Sequence, residues 1–312
     1  MPPYLYRAAT TALALGLLIC SEYPAFSQQG VGVSVPPGKS VRGIASQDAA
    51  GTHSPWVMSH QSSVRLIAGA LASSTGQSRL LAGLEMRLSE GWKTYWRHPG
   101  DDGGLPPAFD WSAARNLKAA RVLYPAPQRL KSSTGMSIGY MSNVVFPIEI
   151  EAVDATRPIE LVLNLEYGIC REICVPAEAR MRLTIAPTLA VMPNGLSAAL
   201  ARVPRVLTPS AETDAPGSPR LAGAAAVLTG PSAALTFDIA TGAAGARADL
   251  FVEAPAGMHL PMTVKTGEAR AGVQRFRIGL NGVEDAARLP GKPLRLTITG
   301  ISGGTEQSWI VR

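Results

Sequence analysis

Residues 159–186 read IELVLNLEYGICREICVPAEARMRLTIA. Two apolar stretches of mixed alternation, 159–165 and 179–186, flank Cys170 and Cys174. Fully extended, α-carbons at this spacing lie about 13 Å apart. A disulfide spans at most about 7 Å. If the two sulfurs bond, the chain from 168 to 174 turns back on itself, as a hairpin tip or a helical turn. The same texture extends outward, with short apolar stretches at 63–71, 79–88, 119–124 and 143–152. Turn signals separate them, among them Ser74-Thr75-Gly76, Pro99-Gly100 and Pro106-Pro107. Short strands at this spacing predict an antiparallel sandwich. Within Gly91-Trp-Lys-Thr-Tyr-Trp-Arg97, period two puts Trp92, Thr94 and Trp96 on one face and Lys93, Tyr95 and Arg97 on the other.

A second strand-rich unit follows, with stretches at 221–228, 234–239, 248–253, 273–280, 294–300 and 309–311. Between the units, helix-forming residues at 196–203 stop at Pro204, and 208–219 is rich in Pro, Ser, Gly and Asp. The reading is therefore all-β: a signal peptide at 1–27, a flexible leader at 28–58, a sandwich at 59–187, a helical connector and linker at 188–218, and a second sandwich at 219–312. The second sandwich has no cysteine, and its His259 stands without a partner pattern. It is expected to be structural, positioning the first through a modest and somewhat hinged contact.

The amino terminus carries Arg7, an uncharged apolar run at 8–19 and small residues around Ala25 and Ser27. That is the pattern of a cleavable export signal. Leu17-Leu18-Ile19-Cys20 faintly resembles a lipidation motif, but Ile19 is bulky where a small residue is expected, so lipidation is not favoured. The apolar run is too short to span a bilayer permanently, and no long apolar run follows. A periplasmic location is expected, with no transmembrane segment in the mature chain and with disulfides permitted. Formal net charge is +6, and removing Arg7 and Glu22 with the signal leaves it unchanged. The basic residues are scattered, with no stripe interleaved with aromatics, so nucleic acid is not an expected partner.

Of three cysteines, Cys20 lies in the signal, which leaves Cys170 and Cys174. A bridge between them closes a loop of about five residues, for which chain entropy gives only about 2 kcal/mol. A chain of this length does not need such a staple. The pair is poorly placed to hold a fold and well placed to open and close, as thiol–disulfide exchange requires. Arg171 would favour a thiolate by charge and Glu172 would oppose it. Pro176 lacks an amide proton and suits a strand edge. Tyr95, Tyr140 and Tyr167 are candidate supporting residues that would shield the pair; Trp92 and Trp111 read as sandwich core. Two other readings stand: a small structural bridge, or a soft metal site for copper(I) built from the thiolates with His98, Met136 or Met141. Asp101-Asp102-Gly103-Gly104 lacks the alternating oxygen ligands of a calcium loop and reads as a solvated turn. No cofactor and no resident metal is expected.

Four blocks carry a family resemblance: GWKTYWRHPGDDGGLPPAFDW at 91–111, Tyr124-Pro-Ala-Pro127, Gly139-Tyr140 with Val144-Val-Phe-Pro147, and YGICREICVPAEA at 167–179. They resemble the amino-terminal periplasmic domain of DsbD-type protein-disulfide reductases, closest to the suppressor-of-copper-sensitivity B relatives, over about residues 60–187. The resemblance implies two immunoglobulin-like β-sandwich domains, the second matched only in general character. It implies that Cys170 and Cys174 are the redox pair. It implies as partners a membrane-embedded thiol reductase or thioredoxin-like domain and oxidised periplasmic proteins. Neither a multi-helix membrane domain nor a thioredoxin-like domain is in this sequence, so electrons are expected from a separate partner. The competing class is a copper-handling or adaptor protein.

Overall fold

The computed structural model describes residues 51–72, 79–132, 135–207, 218–242, 246–300 and 303–312. The expected signal peptide, Cys20, the turn at 74–76 and most of the 208–219 linker lie outside the described residues, as does the leader before residue 51.

The first sandwich has two sheets. One runs in the order β1 (Val57–Ser59), β2 (Ser62–Leu71), β3 (Arg79–Leu88), β9 (Asn143–Ala152) and β6 (Leu117–Val122). The other runs β11 (Cys174–Ile185), β10 (Ile159–Cys170), β4 (Lys93–Tyr95), β8 (Met136–Met141) and β7 (Gln128–Lys131), with β5 (Ala108–Asp110) also pairing to β10. All these pairings are antiparallel. Alternate residues of the long strands point inward, which is what period two requires of a sheet packed on one face. Leu66, Leu84, Phe146, Ile148, Leu161, Leu163 and Tyr167 are all fully buried in this core.

The second sandwich pairs a sheet of β12 (Arg205–Val206), β19 (Gly303–Ile310), β18 (Pro293–Gly300) and β15 (Ala248–Glu253) with one of β13 (Arg220–Val227), β14 (Ala234–Ala240), β17 (Val273–Gly279) and β16 (Val264–Arg270). Its core is Leu235, Phe237, Ile239, Leu250, Phe276, Ile278, Leu294, Leu296 and Ile298. The protein is thus all-β, built as two immunoglobulin-like sandwiches.

Three expectations shift. The leader does not run loose to residue 58. His53 bridges Ile67, and β1 pairs with β2 in register from Val57↔Val64. Ser54 explains part of this: it is buried, and its Oγ accepts the Leu66 N–H at 2.9 Å. Trp56 adds to it, with the Arg65 and Arg87 guanidinium groups each 4.4 Å from its ring centroid. The connector helix, α1, occupies Asn194–Ala201 rather than 196–203. It packs on the outer face of β2 and β3, where Gly69 and Gly83 leave a hollow for Leu196; a Cβ on either glycine would sit 2.9 Å from a Leu196 methyl. Finally, the stretch called connector already joins the second sandwich, since Arg205 and Val206 pair in parallel with Thr305 and Glu306.

Residues 47–312 form one compact unit, in which aromatic and ion-pair contacts join the two sandwiches. Strand β15 alternates: Leu250 and Val252 enter the second core, while Asp249, Phe251 and Glu253 face the first sandwich. Phe251 is 2% exposed, belongs to the first core, and lies 5.8 Å from Trp96 between ring centroids. Arg129 Nε donates to both Asp249 oxygens, at 2.9 and 3.0 Å, and its Nη2 to Thr263 Oγ1 at 2.7 Å. Arg97 donates to Glu253 at 2.6 Å and to Glu306 at 2.5 Å. Burial opposes the Arg97 charge, yet the two glutamates outweigh it and hold its pKa above the ordinary value.

Candidate active site

The cysteines close the tip of the β10–β11 hairpin. Their residues face each other as the last pair of the ladder, after Ile169↔Val175, with Cα atoms 4.1 Å apart and the sulfurs bonded. Arg171, Glu172 and Ile173 make the turn between them, and all three are exposed. Of the two alternatives open in the sequence, the hairpin tip is the one found. Cys170 is 5% exposed, whereas Cys174, on the edge strand, is exposed. The two halves of the bond are therefore unequal in access.

Period two decides which side chains accompany them. Cys170 pairs with Lys93 on β4, and Lys93 with Met141 on β8. Cys174, Cys170, Lys93 and Met141 thus form one row on the outer face of the sheet. Tyr95 lies on that face two residues along, and its hydroxyl donates to Cys174 Sγ at 3.0 Å. Burial first, and then Asp102, raises the Tyr95 pKa, so the phenol stays protonated and remains a donor. Gly168 lies beneath the Tyr95 ring; a Cβ there would be 3.1 Å from Tyr95 Cε2 and 3.0 Å from Leu105 Cβ. The side-chain-free position lets the ring reach diagonally across β10 to the edge strand.

A loop leaving β4 covers this arrangement. The Gly168 N–H donates to Leu105 O at 2.8 Å. Gly104, at φ 137°, lies so close over Tyr95 that a Cβ would meet its Cε1 at 2.4 Å. Lys93 is buried under the same loop, with Nζ donating to Ser137 Oγ at 2.7 Å. Burial lowers the Lys93 pKa, and Asp102 partly offsets this.

The other candidates go elsewhere. Tyr167 and Tyr140 fall on the opposite, core-facing side of the sheet. Tyr167 is hydrogen-bonded to Ser62 Oγ at 2.7 Å, and the Tyr140 hydroxyl donates to Pro125 O at 2.8 Å. Odd and even positions separate them from Cys170: Tyr167 and Ile169 point inward, Gly168 and Cys170 outward. They support the sheet behind the site and do not touch the sulfurs. Arg171 lies over Gly91, with Nε 3.4 Å from where its Cβ would be; among the described residues no carboxylate is in ion-pair reach of it. Trp96 is core, as is the partly buried Trp92 packed against it. Met141 is exposed two strands away from Cys170. His98 is turned toward the second sandwich, where burial lowers its pKa and Glu253, His259 and Asp101 also act on it.

Sequence reasoning missed Gly104, Leu105 and Gly168 as parts of the site. Gly103-Gly104 ahead of Pro106-Pro107 was the available signal, since adjacent glycines allow a close backbone approach. It also missed the outward triplet Asp249, Phe251, Glu253, in which an aromatic between two carboxylates on one strand face marks a covered surface.

The family model described as "Thiol:disulfide interchange protein DsbD, N-terminal" matches residues 65–186. No curated protein matches the chain. The crystal structure of the N-terminal periplasmic domain of ScsB from Proteus mirabilis is similar in fold, with a TM-score of 0.63 at 22% identity, covering 83% of this chain and 98% of that one. Its coverage extends beyond the span of the family match, so the likeness in fold takes in part of the second sandwich as well. The cysteine hairpin and its covering loop fall wholly inside the matched span, and residues 65–186 are a DsbD-type amino-terminal domain of the thiol:disulfide interchange family.

Proposed function

We propose that the protein is a periplasmic thiol–disulfide exchange module in which Cys170 and Cys174 relay electrons between a thioredoxin-like or membrane-embedded thiol reductase and oxidised periplasmic proteins. The observation that carries this reading is the exposed residue Cys174, whose sulfur is bonded to a buried Cys170 and touched by the Tyr95 hydroxyl. A donor thiolate attacks Cys174 Sγ, and Cys170 departs as a thiol or thiolate. The donor's second thiol then resolves the mixed disulfide, leaving both cysteines reduced and the donor oxidised. In the forward step the Cys174 thiolate attacks a target disulfide and releases one target thiol. Cys170 attacks Cys174 to release the target's second thiol and restore the internal bond. Two electrons pass in each half, and Cys170 is poised as the resolving thiol because the hairpin ladder keeps it opposite Cys174. As the thiolate forms, the Tyr95 hydroxyl supplies a hydrogen bond to it.

Thiol trapping across a dithiol redox buffer is the direct test. A reversible transition in the physiological range is expected; a pair reduced only far below about −300 mV is a structural bridge and overturns the proposal. In periplasmic extract Cys170→Ser, which leaves the exposed thiol without its resolver, is expected to accumulate mixed disulfides, and Cys174→Ser far fewer.

A further inference from the structure

The loop that lies over Tyr95 and Gly168, beside the cysteine pair, is held from two sides. Toward the first sandwich, Leu105 O accepts the Gly168 N–H and Gly104 lies on the Tyr95 ring. Toward the second, the Asp101 carboxylate accepts the Met262 N–H through both oxygens, at 3.0 and 3.2 Å. Met262 also packs its sulfur against Gly100, 3.0 Å from where a Cβ would be. Arg97, at the root of the loop, is fixed to Glu253 and Glu306 of the second sandwich. So the contact with Met262 and the cover over Tyr95 lie only a few residues apart on one short piece of chain. That piece contains Gly100, Gly103 and Gly104, all at positive φ (90°, 68° and 137°), and a Cβ on Gly103 would meet nothing within 4 Å. It therefore has positions that absorb backbone rotation with little steric resistance.

We propose that the second sandwich clamps this loop shut through Asp101, making Asp101 a positioning residue and the second sandwich a regulator of access to the Cys170–Cys174 bond. The proposal deepens the redox reading above and rests on it for its biological sense. It goes beyond the expectation that the second sandwich is structural and positions the first. When Met262 and Asp101 part, the loop loses its outer tether, Leu105 releases Gly168, and Tyr95 is free to swing off Cys174. A molecule that draws the Met262 segment away would thereby free Cys174 Sγ of its Tyr95 contact and loosen the cover beside the buried Cys170.

The test is the rate at which a small thiol, dithiothreitol, reduces the disulfide in the full chain, wild type against Asp101→Ala and Asp101→Asn. Losing a charge-assisted acceptor is expected to raise the open population, and the rate with it, more than about threefold in Asp101→Ala. Asp101→Asn keeps an acceptor oxygen and is expected to stay nearer the wild type than Asp101→Ala does. A smaller acceleration in Asp101→Ala, or equal acceleration in both variants, overturns the clamp. Should Asp101→Ala fail to fold, hydrogen exchange of the wild type decides. The Met262 and Gly168 amides are expected to open together, with protection within about tenfold of each other, and independent opening beyond that overturns the proposal. Chemical reduction rate does not depend on the protein's redox role. A failed redox titration with a positive clamp result, or the reverse, therefore separates the two readings.

Discussion

The outer face of β4 carries the chemistry, and Tyr95 is its central side chain. Its hydroxyl contacts Cys174 at 3.0 Å and has little alternative, being buried under Gly104. Tyr95→Phe keeps the ring and removes the donor. In the reduced protein this is expected to raise the Cys174 thiol pKa by about one unit, since a hydrogen bond to a charged acceptor contributes about 1.5 kcal/mol or more. The pH dependence of iodoacetamide alkylation measures it, and an unchanged profile shows that the hydroxyl does not serve the thiolate. At this scale the sequence was partly legible. Period two separated Lys93 and Tyr95 from Thr94, and the structure keeps that division along β4; beyond Tyr95 the strand ends, and the Arg97 guanidinium lies over the Trp96 ring at 4.3 Å. The sequence could not tell which face met the cysteines, because that depends on the pairing Cys170↔Lys93, a contact between residues far apart in the chain. For the same reason Tyr95, Tyr140 and Tyr167 looked equivalent, although register sends the latter two into the core.

Among elements, the strands were legible from their alternation and the helix only approximately. α1 spans eight residues with no side-chain cap at its N-terminal end, and a helix this short is not stable by propensity alone. What fixes it is Leu196 in the hollow left by Gly69 and Gly83, which no local pattern announces. Leu196 is fully buried. Leu196→Ala is therefore expected to destabilise the protein by about 2–4 kcal/mol through lost burial and the cavity left behind, read as a lower urea midpoint at unchanged slope. A shift under about 1 kcal/mol means that the helix is not anchored there. The redox potential should stay where it is, because the helix lies on the sheet opposite the cysteine hairpin.

For the whole molecule, the sequence pointed to two sandwiches but did not show which residues join them. Arg97 and Arg129 were single basic residues in a scattered background, and only the fold brings them to Glu253, Glu306 and Asp249. His98 belongs to the same seam. Burial is the main cause of its lowered pKa; His259 and Arg97 lower it further, while Glu253 and Asp101 pull the other way. A histidine whose folded pKa is depressed below its ordinary value of 6.5 takes up a proton on unfolding, so stability is full above that value and is lost as pH falls from about 6.5 toward the folded pKa. His98→Gln is expected to flatten the fall in thermal midpoint over that window. If wild type and variant lose stability in parallel, the seam is not titrated by His98. One consequence follows from the shortness of β4. Within Lys93 to Tyr95 one parity, Thr94, lies on the core side of the sheet and the other touches the disulfide through Tyr95, and two residues beyond the strand Arg97 grips the neighbouring sandwich. A single residue inserted here exchanges the two parities downstream of it. Core, sulfur contact and interdomain grip would fail in one step, so in this stretch the number of residues matters as much as their identity.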